Sequence, residues 1–202
     1  MPPHPHPRTP RLPWAAPLYV GAVQLGAYAT ARLSAARRTG LLRAHSTNVA
    51  NLRAGRWATL LTSAAFVERP LTVPYGAALL AALGTAEARW GVPRAAGVFA
   101  AGHAGAGLLV YAGLRGRVRT APPDATARAV DVGPSYGLHA TLGALAMTLP
   151  HRGARAAATA GLLARTAYPV LRRTRTFTDT GHLAALVLGT AMGRGLRPAG
   201  AG

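Results

Sequence analysis

Apolar runs of membrane length alternate along this chain with short clusters of arginine. The first run, residues 14–33, carries no charge before Arg32 and matches the ~20 residues that a bilayer hydrocarbon core requires. A shorter run covers 71–86 and closes on Glu87-Ala88-Arg89-Trp90-Gly91. A third, 95–114, places Gly97, Ala101 and Gly105 at a four-residue spacing, which lets helix backbones approach closely. The fourth covers 130–149, and the fifth, 154–171, is interrupted by Arg165 and Pro169. The sixth, 180–192, carries the small-residue stripe Gly181, Ala185, Gly189 and Gly193. The pattern predicts an all-α chain: a disordered tail over 1–13, a bundle of six transmembrane helices over 14–196, and a C-terminal tail over 197–202.

The connection between the first two runs, residues 34–70, is long. Loops of this size inside a compact domain usually carry function. Its stretch from His45 to Leu52 is polar, and the stretch from Arg56 to Phe66 is apolar but short. That length suits a helix lying in the membrane interface better than one crossing it.

Charge refines the picture. The 202 residues include 23 basic side chains and five acids, for a net charge of +18, and every basic residue is an arginine. Such a balance can signal nucleic acid as a partner. Here the arginines fall between the apolar runs and do not line one helix face, so no nucleic-acid partner is expected. They read as topology determinants and as contacts for anionic lipid headgroups. The connections after the first, third and fifth runs are the richest in arginine, a bias that places the long first connection in the cytoplasm. The expected location is a bacterial cell membrane, crossed several times. No cysteine is present, which excludes disulfides, thiolate chemistry and cysteine-based metal sites. No cleavable signal is recognised at the N-terminus.

Polar groups inside membrane runs are costly and mark sites or structural ties. His103 reads as a structural residue bonded to a neighbouring helix. Three membrane histidines, His103, His139 and His182, raise the question of a metal or haem, but no Asp or Glu stands with them at ligand spacing, so no metal and no cofactor is expected. Gly133-Pro134-Ser135-Tyr136-Gly137 opens the fourth run and Gly181-His182 opens the sixth. A serine becomes a nucleophile when a base takes its proton, and a base on a second helix can be held in reach by bundle packing. His139 shares a helix face with Ser135 and is a rival base one turn deeper. The bland reading of Ser135 is a small polar residue at a glycine-rich helix start.

These features together resemble the rhomboid family of intramembrane serine proteases, over most of the chain. That family has six helices, a large interfacial first loop, a Gly-x-Ser-Gly motif opening helix four and an Ala-His motif in helix six. Gly133-Pro134-Ser135 matches the serine motif, with Tyr136 in place of its last glycine. Gly181-His182, followed by Ala185 and Gly189, matches the histidine motif, and Glu87-Ala88-Arg89-Trp90-Gly91 matches a signature after helix two. The resemblance implies Ser135 as nucleophile, His182 as base, and Gly133, Tyr136 and Gly181 as motif residues around the oxyanion site, with the Ser135 backbone N–H as one donor. It also implies a departure. Active members carry His and Asn in helix two, and the corresponding positions here fall near Leu71 and Tyr75. Loss of one oxyanion donor costs roughly 100- to 1000-fold in rate.

Two expectations follow. In one, the chain is an intramembrane serine endopeptidase that cleaves transmembrane protein substrates with a Ser135–His182 dyad. In the other, it is a non-catalytic rhomboid-like protein that binds membrane helices of client proteins.

Overall fold

The computed structural model describes residues 12–118, 130–172 and 176–196. Nearly all of both expected tails, and most of the polar connection before Val130, lie outside these residues. Among the described residues the chain is helical throughout: α1 (Ala15–Ala31), α2 (Ala35–His45), α3 (Val49–Arg53), α4 (Thr59–Thr62), a 3-10 turn (Ser63–Ala65), α5 (Val73–Trp90), α6 (Val92–Val118), α7 (Ser135–Met147), α8 (Arg152–Leu171) and α9 (Phe177–Gly195). One segment among them, Val92–Gly113 of α6, is long and apolar enough to cross a membrane by itself. The other long helices are shorter or carry arginines: α1 has 17 residues, α7 has 13, and α8 contains Arg152, Arg155 and Arg165.

The boundaries follow local chemistry. The first amides of a helix have no partner within it. In α1 the Glu87 carboxylate supplies one from another helix, accepting the N–H groups of Trp14, Ala15 and Ala16 at 2.9, 3.0 and 2.8 Å. Gln24 of α1 then brackets the approach to α5, accepting from the Leu71 N–H at 2.8 Å and donating to its carbonyl. Pro74 sits in the first turn of α5, where its missing N–H has no cost. Gly91 ends that helix with φ 79°, a conformation open mainly to glycine, and α6 starts at the next residue. A capping box, Thr176 with Asp179, starts α9.

The first connection folds into short pieces. Asn48 caps α3 by accepting from the Asn51 N–H, and the Asn51 amide donates to the carbonyls of Arg43 and Ser46. His45 stacks on Phe66 at 4.2 Å between ring centroids. The apolar stretch from Arg56 to Phe66 is no single helix. It is α4 followed by the 3-10 turn, with Thr59 and Ser63 buried while Trp57 and Leu61 face outward.

The core lies where α6, α7 and α9 meet. Ala140 of α7 is fully buried, and Gly102 of α6 and Gly189 of α9 both rest against it so closely that neither has room for a Cβ. Gly193 lies on Ala144 and Gly143 on the Leu186 carbonyl in the same way. The stripe on the sixth apolar run therefore packs helix on helix.

Candidate functional site

Ser135 is the first residue of α7. The sequence places the start of this run at 130, but Gly133 has φ 129° and Pro134 follows it, so residues 130–134 run outside the helix. The helix then presents Tyr136 and His139 towards α9. The Tyr136 ring packs edge-on to His182 at 5.5 Å between centroids, and it fills the space beside Gly181. His139 stacks on His182 at 4.3 Å and 17°. Its Nδ1 lies 2.8 Å from the Ser135 carbonyl oxygen, which can only accept, so the proton sits on Nδ1.

The structure thus brings Ser135, Tyr136, His139, Gly181 and His182 to one end of the α7–α9 pair. It does not join Ser135 to His182 by a hydrogen bond. The His182 Nε2 is buried without a hydrogen-bond partner, and the Ser135 hydroxyl has none among the described residues. Beside His182 lies a cavity of about 410 Å³ that His139, Arg165 and Asp179 also line. Leu71 and Tyr75, at the positions where the resemblance asks for oxyanion donors, pack against the apolar cluster around Leu79 and Leu83.

A second serine–histidine contact is fully formed. Ser63 Oγ of the 3-10 turn and Nε2 of His103 in α6 are 2.9 Å apart, and Thr47 Oγ1 lies 2.9 Å from the same serine. The sequence suggests a bond from His103 to a neighbouring helix, and here its partner is the folded first connection. Its Nδ1 is buried and unpartnered. The gap beside this pair, which Thr47, Gly107, Asp131, Gly133 and Tyr136 also line, is too narrow to hold a water molecule. Asp131 joins the two regions. Its Oδ2 accepts from Tyr111 at 3.1 Å and from Tyr136 at 3.3 Å, while its backbone exchanges hydrogen bonds with Ser46 and Thr47. Asp131 lies in the segment before α7, outside the helices. Burial pushes its carboxyl up to about 6, against the lowering effect of the two tyrosine hydroxyls.

Ser63, Thr47, Tyr111 and Asp131 were not legible as one site, since they come from four separate stretches. One signal was available: Asp131 is one of only five acids and stands in an apolar run, where an ionisable group is informative. Among the described residues no cluster of three His, Cys, Asp or Glu could hold a metal ion.

The sequence profile of the rhomboid-like protein family matches residues 12–198. Comparison with curated proteins gives no match, and comparison with solved structures gives none.

Proposed function

The chain belongs to the rhomboid-like protein family, and from that premise we propose that it crosses the membrane six times and binds membrane helices of other proteins without cleaving them. The family makes it a membrane protein. The six spans in this reading are α1, α5, α6, α7, α8 and α9. Large apolar side chains that face outward support it: Leu18, Leu25 and Tyr28 on α1, Leu80 on α5, Leu108 and Leu109 on α6, Leu171 on α8 and Val187 on α9. Outward apolar side chains on five helices suit contact with lipid. No residue of α7 is exposed. At ~1.5 Å per residue its length falls short of the ~30 Å hydrocarbon core, which suits a central helix whose start, at Ser135, sits below one surface.

The observation that carries the non-catalytic reading is the unpartnered His182 Nε2, held between the rings of Tyr136 and His139. A base must reach the proton it removes, and here the imidazole meets the rings of Tyr136 and His139 and no serine hydroxyl among the described residues. The packing of Leu71 and Tyr75 against the apolar cluster of Leu79 and Leu83 supports the same reading. Helix binding is supported by α8, where Gly153, Ala157 and Gly161 repeat at four-residue spacing on an exposed face. Nothing lies within 4 Å of the Cβ positions of the two glycines. Such a stripe suits close approach of another helix.

Proteolysis by Ser135 and His182 is the second reading. It is favoured by the stacking of His139 on His182, because His139 is one turn from Ser135 and keeps the serine near. Labelling of purified, folded protein with a fluorescent fluorophosphonate separates the two. The non-catalytic reading expects no labelling. Labelling of wild type that disappears in both Ser135→Ala and His182→Ala would overturn it and establish an activated serine. Helix binding further expects that transmembrane proteins co-isolate equally with wild type and Ser135→Ala, and less with Gly161→Leu.

A further inference from the structure

The cavity of about 410 Å³ beside His182 opens where α8 ends and α9 begins. Its size lies within the roughly 300–1,000 Å³ usual for ligand sites. Its wall holds one cation and one anion, Arg165 and Asp179, beside the imidazoles of His139 and His182. Arg165 and Asp179 form no ion pair with each other, and Arg165 makes no hydrogen bond among the described residues. Oδ2 of Asp179 accepts from the Thr176 N–H and hydroxyl, which leaves Oδ1 free for another donor. An arginine within a membrane helix needs a counter-charge or a path to the headgroups. Tyr168 lines the cavity, with the Arg172 guanidinium 5.0 Å over its ring, and α8 ends at the outward-facing Leu171. Exposed tyrosine and arginine at a helix end mark headgroup depth.

We propose that this cavity binds the head group of a zwitterionic phospholipid, with its phosphate at Arg165 and its ammonium at Asp179. The assignment follows from the charges. The planar guanidinium matches phosphate oxygens in a two-point contact. A head group that is only anionic would leave Asp179 facing like charge, and one without phosphate would leave Arg165 unmatched. The ring of Tyr168 and Pro169 give the cavity an apolar wall for the first methylenes of an acyl chain. The proposal rests on the membrane reading of α8 and α9 but not on whether Ser135 is activated, although His139 and His182 line the same cavity; lipid retention and fluorophosphonate labelling therefore fail separately.

Native mass spectrometry of the delipidated, detergent-solubilised full chain tests the proposal. The probes are phosphatidylethanolamine, phosphatidylglycerol and the soluble head group glycerophosphoethanolamine. Wild type is expected to retain phosphatidylethanolamine in preference to phosphatidylglycerol. Arg165→Gln should weaken that retention about tenfold, the effect of one charge-assisted pair. Asp179→Asn should remove the preference between the two lipids while leaving both bound. Asp179 also caps α9, so the deciding variant is Arg165→Gln, which removes an exposed side chain that bonds nothing in the described fold. Unchanged retention in folded Arg165→Gln, or equal retention of the two lipids by wild type, overturns the proposal. Binding of glycerophosphoethanolamine as tightly as the lipid overturns the lipid as occupant and assigns the site to a soluble phosphoamine.

Discussion

The ring of Tyr136 occupies the space that a side chain on Gly181 would need. The two residues stand at the places where the serine and histidine motifs meet, and each restricts the other. With the ring where it stands, any side chain at position 181 has to push it aside.

Gly181→Ala is therefore expected to destabilise the protein by about 1–3 kcal/mol, the usual cost of overpacking. In a Tyr136→Ala background the same change should cost little. Thermal unfolding in detergent of the four proteins of this cycle measures the coupling. Equal costs in both backgrounds would show that the ring moves aside freely.

The three amides at the start of α1 depend on one carboxylate. Glu87→Gln keeps the shape but loses the charge, and one of its two oxygens becomes a donor facing N–H groups. A loss of about 1–3 kcal/mol is expected, with faster hydrogen exchange confined to the first turn of α1. Unaltered exchange at Trp14 to Ala16 would refute the cap.

Ser63→Ala leaves His103 Nε2 buried with no partner, and an unpaired buried polar group costs about 1–3 kcal/mol. The fluorophosphonate behaviour of the protein should not change. The readout is a lower melting temperature together with earlier proteolysis in the first connection. Reactivity lost with Ser63 would instead reveal this closed pair as the activated one.

Asp131 gives stability a pH dependence. Its folded value is raised from the ordinary 3.8 to about 6, so the folded state holds the proton more tightly than the unfolded chain. The corresponding stability is complete below the unfolded value and is lost as pH rises through the folded one. Wild type should thus melt at lower temperature as pH rises from about 3.8 to about 6, and Asp131→Asn should flatten that slope. Parallel slopes for the two proteins would place the titration elsewhere.

The helices themselves were legible, because apolar length and small-residue spacing are local properties. Their edges were less so. Hydropathy runs the fourth segment back to Val130, while backbone geometry at Gly133 and Pro134 delays the helix to Ser135. Apolarity also joins Arg56 to Phe66, but the α-helix stops at Thr62 and a 3-10 turn follows, with the Thr47 hydroxyl from a separate stretch donating to the Thr59 carbonyl at 2.7 Å. The motif residues were read from the sequence and do converge on one end of α7 and α9. The contact between Ser63 and His103 was not readable, since it joins residues 40 positions apart that share no motif. Nor could the sequence tell that Tyr136 turns inward: that follows from Gly181 on one side and Asp131 above its hydroxyl. Membrane crossing sits between these cases. The sequence suggests six runs, yet among the described helices only α6 meets the requirement alone, because arginines and short lengths dilute the others.

The position of Glu87 also sets an order of events in biogenesis. It lies 73 residues after Trp14, whose amide it accepts. A chain made from its N-terminus has α1 complete, with the amides of its first turn bare, well before Glu87 leaves the ribosome. The first helix can form early, but its end becomes fixed only when α5 arrives to close it. The N-terminal end of α1 is therefore completed by α5, and the two helices close as one unit.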